Sequence, residues 1–162
     1  MKSNQEEFLE IISAYQGIIH KVNLIYFKSN ADKQDNFQEV VYQLWRSFLS
    51  LKDKNKLASW IYAVAINTSI SKIRKDSKLV FTDDLPDFSY VETTNNIEHN
   101  EHYCSLLDAL QKLNEVDRSI MLLYMEDYSY ENISEIVGIS TSNVGVKIHR
   151  VKEQLRKMLK DQ

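Results

Sequence analysis

Asn143, Lys147, Arg150 and Gln154 recur at three- and four-residue steps close to the end of the chain. At about 100° per residue they cluster on one helical face. That face is separate from the apolar stripe of Val144, Ile148, Val151 and Leu155. Arg and Lys suit guanine edges or phosphates, and Asn and Gln suit adenine, so the set has the chemistry of a major-groove reader. A merely solvated helix face has a similar composition. Two features favour nucleic acid. A glycine turn precedes the helix, and Thr141, Ser142 and Asn143 open it, where recognition helices touch bases.

The elements that must present this face are legible just upstream. Ile133, Ile136 and Val137 give a short apolar helix that runs into Gly138-Ile139-Ser140. Glycine supplies the left-handed residue that ends one helix, and Ser140 can cap the next, which reaches about Leu159. A short helix, a glycine turn and a longer basic helix make the helix-turn-helix pattern. Leu106, Leu107, Leu110 and Leu113 predict a helix before it. Asn114-Glu-Val-Asp117 offers a capping start for a further one holding Val116, Ile120, Leu123 and Tyr124.

A second cluster of chemistry-bearing residues lies in the first half. Phe8, Ile11, Ile12, Tyr15, Ile18, Ile19, Val22 and Ile25 predict the first helix, ended by the polar stretch Lys28 to Gln34. Phe37, Val40, Val41, Leu44, Trp45, Phe48 and Leu49 predict the second, and Lys52 to Lys56 a loop. A third carries Leu57, Trp60, Ile61, Val64, Ile70 and Ile73, and closes on Lys72, Arg74, Lys75 and Lys78, bases that suit the negative end of the helix dipole. Three such helices form a small bundle. On the second, Tyr42, Trp45 and Leu49 widen the apolar arc beyond what that bundle requires, with Asp35 and Gln38 on its flank. A mixed patch of this kind suits a protein partner; cover by the first helix is the alternative. Lys52, Lys54 and Lys56, with Lys72, Arg74 and Lys75, could line a strip for backbone phosphates. Single-stranded DNA also needs stacking surfaces. Trp60 shares the core stripe, which leaves Tyr62 and Asn67 as the candidates for DNA.

Composition bounds the rest. The 162 residues include three glycines and one proline, Pro86, which argues for helices throughout. Gly17, Gly138 and Gly145 cannot write a dinucleotide fingerprint or a P-loop. Net charge is −3, but unevenly spread: 12 bases and 8 acids over residues 1–78, six acids and no base over 79–101, and six bases and three acids over 133–162. Two basic ends flanking an acidic middle suggest two surfaces for a polyanion. The expected architecture is all-α, with a helical domain over 1–76, an acidic linker over 77–97 and a helix-turn-helix domain over 98–162.

Two separated segments resemble one family. Tyr130-Glu-Asn-Ile-Ser-Glu-Ile-Val-Gly-Ile-Ser140, continuing through Val144 to His149-Arg150 and Leu155-Arg156, is similar to the promoter-reading end of bacterial sigma factors. Asp35-Asn-Phe-Gln-Glu39, with Leu44-Trp45, Ser59-Trp-Ile-Tyr62, Asn67 and Ile73-Arg74, resembles their other domain. Order and length match the extracytoplasmic-function group. The resemblance implies a first domain that binds the clamp helices of core RNA polymerase and captures melted minus-10 DNA. It implies a second that reads the minus-35 duplex of promoter DNA. Asp35, Gln38, Glu39 and Tyr42 become the expected polymerase contacts, and the Ser50–Leu57 loop the expected holder of a flipped minus-10 base. It further implies no nucleotide or metal cofactor, no enzymatic activity and an anti-sigma protein as partner. Asn132-Ile133-Ser134 stands where the family usually shows Glu-Ile-Ala, and Gly145-Val146 replaces the commoner Lys or Arg and Ser.

Other chemistry is weaker. His99, His102 and Cys104 form an H-x-x-H-x-C cluster, but structural zinc wants four ligands, so no metal is expected. No Ser, His and acid share a nucleophile motif. A lone cysteine fits a reducing compartment. The acidic start MKSNQEEFLE is unlike a signal peptide. No apolar run approaches the roughly 20 residues that span a bilayer, so the expectation is a cytoplasmic protein without stable membrane insertion. Two rival readings remain: a one-component helix-turn-helix regulator, and a sigma-mimicking adaptor. Neither needs the basic strip with Tyr62 and Asn67.

Overall fold

The computed structural model describes residues 1–79 and 101–161. Among these there are seven α-helices, one short 3-10 turn and no strand. The chain divides into two compact units, Met1–Glu92 and Thr93–Gln162.

In the first unit α1 (Asn4–Tyr26), α2 (Asn30–Phe48) and α3 (Leu57–Leu79) pack against one another, with a 3-10 turn at Lys54–Lys56. A capping box starts α1: the Glu6 amide donates to Ser3 Oγ (3.2 Å) and the Ser3 amide to the Glu6 carboxylate (2.9 Å). Ile19, Val22, Val40, Leu44, Ile61 and Ala65 are buried at the centre. The break after α1 is shorter than the polar stretch Lys28–Gln34 suggests. Ser29 caps α2 by accepting from the Asp32 amide at 3.1 Å, so residues 30–34 are a solvated first turn rather than a loop. At the other end α3 runs to Leu79, into the stretch read as linker. Ser77 Oγ donates to the Arg74 carbonyl within the helix, and the acidic run begins only at Asp83. The remainder of the 77–97 stretch lies outside the described residues.

The face that α3 buries is rotated from the expected one. Ile61, Tyr62, Ala65, Ile66 and Ser69 are buried, whereas Trp60, Val64 and Ile70 are only partly so. A buried polar junction accompanies this rotation. Asn36 Nδ2 donates to Asn23 Oδ1 (2.7 Å) and to Ser69 Oγ (2.9 Å), joining all three helices. Asn23 Nδ2 donates to the Lys33 carbonyl, and Ser69 Oγ to the Ala65 carbonyl. Asn36 Oδ1 is buried and accepts no hydrogen bond.

In the second unit α4 (Glu101–Gln111), α5 (Glu115–Met125) and α6 (Tyr130–Val137) all pack on α7 (Thr141–Lys160). Ala109, Leu110, Leu113, Met121, Val151 and Leu155 form one cluster, and Ile120, Leu123, Ile133, Val144 and Ile148 are fully buried beside α6 and α7. Side chains close the helix starts. Asn114 Oδ1 accepts from the Asp117 amide (2.9 Å), Ser129 Oγ from Asn132 (3.1 Å) and Ser140 Oγ from Asn143 (3.2 Å). Gly138 ends α6 at φ +81°, a conformation that side chains with a Cβ rarely adopt.

Candidate functional site: nucleic-acid and partner surfaces

The α6–turn–α7 unit is fixed from inside the turn. The Gly138 amide donates to the Ser134 carbonyl (2.9 Å), and the Ser134 hydroxyl donates to the carbonyl of Ile139. Ser134, one of the departures from the family's usual residues, therefore clamps the glycine turn that sets α7 against α6. Val144, Ile148, Val151 and Leu155 face the core as expected. Thr141, Ser142, Asn143, Arg150 and Gln154 are exposed, so the outer face of α7 is polar and accessible.

Lys147 differs from the others. Its ammonium lies 3.5 Å from Asp117 Oδ1 on α5 and is only partly exposed. Asp117 is buried and also accepts from Asn114 Nδ2 at 2.9 Å. Lys147 therefore leans off the outer face toward α5, where it answers a buried carboxylate. Lys152 is likewise drawn inward, onto the ring of Tyr124 at 4.2 Å from its centroid. The accessible cations of α7 are Arg150, Arg156, Lys157 and Lys160, with Arg156 paired to Glu153.

In the first unit α2 separates two grooves. The one toward α3 is polar. It brings Asn67, Lys72 and Lys75 of the expected DNA set together with Asp35 and Glu39 of the expected polymerase set. Ser50, Val64 and a third acid, Asp76, also line it, as do Gln43, Arg46, Ser47, Thr68 and Ser71, residues that sequence reasoning passed over. The signal for them was the four-residue step Glu39, Gln43, Ser47 on one helix facing Asn67, Ser71 and Lys75 on the other. Gln43 Nε2 donates to Glu39 Oε1 at 2.8 Å, which orients the acid along the groove.

The second groove, toward α1, is apolar. Phe8, Leu9, Phe37, Val41, Tyr42 and Trp45 line it, with Gln5 and Gln38 at the edge. The α1 helix covers part of the wide arc: Phe8 meets Trp45 edge-on at 5.0 Å and Phe48 at 5.4 Å. It does not cover the rest. Tyr42 remains 54% exposed, Trp45 41% and Leu49 73%. The four expected polymerase contacts thus divide between two sides of one helix, Gln38 and Tyr42 toward α1, Asp35 and Glu39 toward α3.

One expected DNA residue is withdrawn. Tyr62 is 3% exposed, buried beside Ile61, Ala65 and Ile66. A ring in that position cannot stack on a base without leaving the core. Trp60, assigned to the core by periodicity, is the partly exposed aromatic of that turn. Lys54 and Lys56 lie on the exposed 3-10 turn, where Lys54 pairs with Glu7 of α1, and Arg74 is exposed near the end of α3. His102 and Cys104 lie on the exposed first turn of α4, and His99 is outside the described residues. Among the described residues no three metal-ligating side chains gather, and no helix is long and apolar enough to cross a membrane.

Comparison with known proteins gives the same two-part division. The family model for sigma-70 region 2 matches residues 11–79, and that for sigma-70 region 4 matches residues 105–155. The chain is 25% identical over 173 aligned residues to the ECF RNA polymerase sigma factor SigW of Bacillus subtilis, covering 99% of this chain and 92% of that one. It is 29% identical to the RNA polymerase sigma factor YlaC of the same organism, covering 76% and 75%. Among solved structures, the sigma factor RpoE in complex with the anti-sigma factor NepR from Bartonella quintana aligns with a TM-score of 0.67 at 19% identity, over 96% of each chain. CnrH in complex with the cytosolic domain of CnrY aligns at 0.70 and 14% identity, over 99% and 92%. These two likenesses establish the fold.

Proposed function

From a chain that belongs to the sigma-70 family of RNA polymerase initiation factors, in its extracytoplasmic-function group, we propose a division of its promoter-directing role between the two units. As a member of that family it is an initiation factor and not an enzyme. The first unit docks on core polymerase through α2, with Gln38, Tyr42 and Trp45 on one side and Asp35 and Glu39 on the other. The α3 wall of the polar groove faces the melted minus-10 strand, with Lys72 and Lys75 near its phosphates and Asn67 toward a base, while Asp35 and Glu39 on the α2 wall face polymerase. The second unit places α7 in the major groove of the minus-35 duplex.

The observation that carries this reading is the outer face of α7, where Asn143, Arg150 and Gln154 are exposed off a fully buried stripe and behind a clamped glycine turn. Residues 102–162 nevertheless carry more acids than bases, and the preceding segment adds six acids. Free binding to DNA depends on cations that displace condensed counterions, so the isolated chain is a weak DNA binder. Polymerase holds both reading surfaces at a fixed separation and makes the second contact intramolecular. The protein acts in the cytoplasm, where the polymerase is. The exposed apolar groove between α1 and α2 also fits an anti-sigma partner, of the kind with which the similar RpoE was solved.

The test is run-off transcription from genomic fragments with core polymerase, with and without the chain. New start sites that appear only with both proteins support the proposal. Transcripts unchanged by the chain, together with no association between it and core enzyme, overturn it.

A further inference from the structure

Among the exposed residues of α7 between Thr141 and Lys157, only Val146 is apolar, and it is 62% exposed. A single exposed valine on a helix requires no explanation. Its position does. At about 100° per residue it lies about 200° from Val144, on the opposite side of the helix from the core stripe. Asn143 stands three residues before it and Arg150 four after, so the three form one ridge on the accessible face. Of its neighbours on that face, Ser142, one turn back on the N-terminal side, is short, while His149, three residues on, is exposed. Gly145, beside Val146, has no side chain. The ring of Tyr130 in α6 lies 3.5 Å from the point a Gly145 Cβ would occupy, in ordinary contact, so the glycine is set against α6 and projects nothing past Val146.

These features select a ligand group. In a helix valine holds essentially one χ1 rotamer, so its two methyls are fixed before binding. The apolar group on a major-groove base edge is the C5-methyl of thymine. A short, rigid, branched side chain between an amide and a guanidinium reaches such a methyl only if the helix backbone comes close, as the short side chain of Ser142 permits on the N-terminal side. We propose that Val146 is a specificity-determining residue that reads the 5-methyl group of a thymine in the upstream duplex element, between base pairs contacted by Asn143 and Arg150. This inference rests on α7 being the major-groove helix.

The experiment uses the full chain assembled with core RNA polymerase and a duplex library randomised upstream of the start site. The wild-type protein is expected to enrich a thymine at a position beside those whose preference changes in Asn143→Ala and Arg150→Ala. Replacing that thymine by deoxyuridine, which removes only the methyl, is expected to weaken binding about fourfold, the worth of one apolar carbon group removed from water. Val146→Ser is expected to bind thymine and deoxyuridine duplexes equally. Val146→Thr, which keeps one methyl, is expected to retain the preference for thymine. Because Val146 is exposed, all variants are expected to melt with the wild type. A wild-type protein indifferent to uracil at every enriched thymine, or a Val146→Ser variant that keeps the penalty, overturns the inference while leaving α7 as the reading helix. Enrichment of no upstream sequence at all removes that premise and the inference with it.

Discussion

Arg150 and Lys147 occupy adjacent turns of α7 and carry the same charge, yet they should fail in different ways when truncated. Arg150 is exposed on the outer face, so Arg150→Ala should remove the proposed DNA contact and little else. A base-edge contact by arginine is worth about 1–3 kcal/mol, which is roughly a 5- to 150-fold loss of promoter affinity. Stability should change by less than about 0.5 kcal/mol, as for most surface substitutions. Lys147 lies 3.5 Å from the carboxylate of buried Asp117. Lys147→Ala leaves that acid with Asn114 as its side-chain partner, an outcome between the near-zero worth of a surface pair and the several kcal/mol of a broken buried one. About 1 kcal/mol of stability is therefore expected to go, for a domain of this size a fall of roughly 4–8 °C in Tm. The loss of promoter affinity should be smaller than for Arg150→Ala. The assay pairs thermal melting of the free protein with a promoter titration of each variant bound to core polymerase. If Lys147→Ala melts like the wild type but loses as much affinity as Arg150→Ala, Lys147 faces DNA and not Asp117. If Arg150→Ala lowers Tm and leaves affinity unchanged, the outer face of α7 is misassigned.

Two further outcomes follow from the first unit. Lys72→Ala with Lys75→Ala should flatten the salt dependence of open-complex binding by about 0.7 per lost single-strand phosphate contact, read as the slope of log affinity against log salt; an unchanged slope would place the melted strand elsewhere. Asn36→Ala should cost about 1–3 kcal/mol in denaturant unfolding, because it strands the buried Asn23 oxygen that Asn36 now satisfies, and unaltered stability would mean that the junction of three helices holds nothing together.

What could be read in the sequence was what local chemistry decides. Asn114, Gly138 and Ser140 announce helix ends through their own side chains or through the absence of one, and the structure uses each as expected. The core stripe of α7 was equally plain, since four apolar residues alternate with strongly polar ones. The α3 helix was not, because Leu57 to Ile66 is apolar at nearly every position and periodicity cannot say which face turns inward. The choice fell to tertiary partners. Small Ala65 and Ser69 let α1 and α2 approach, Ser69 meets Asn36, and Tyr62 goes inside while Trp60 stays at the edge. The Lys147–Asp117 pair joins residues 30 apart, and no spacing rule on one helix could announce it. The start of α2 was hidden for a different reason. Its first turn is solvated, so Asn30 to Gln34 has the composition of a loop although Ser29 caps a helix there.

The most direct test of promoter opening by this chain is permanganate reactivity of thymines, mapped together with nuclease protection on a promoter it transcribes. The chain with core polymerase should expose reactive thymines at the minus-10 region and protect the minus-35 duplex, while the chain alone should do neither at physiological salt. Strong, sequence-specific protection by the free chain, unchanged when core enzyme is added and without reactive thymines, would contradict the account and make the protein a one-component DNA-binding regulator.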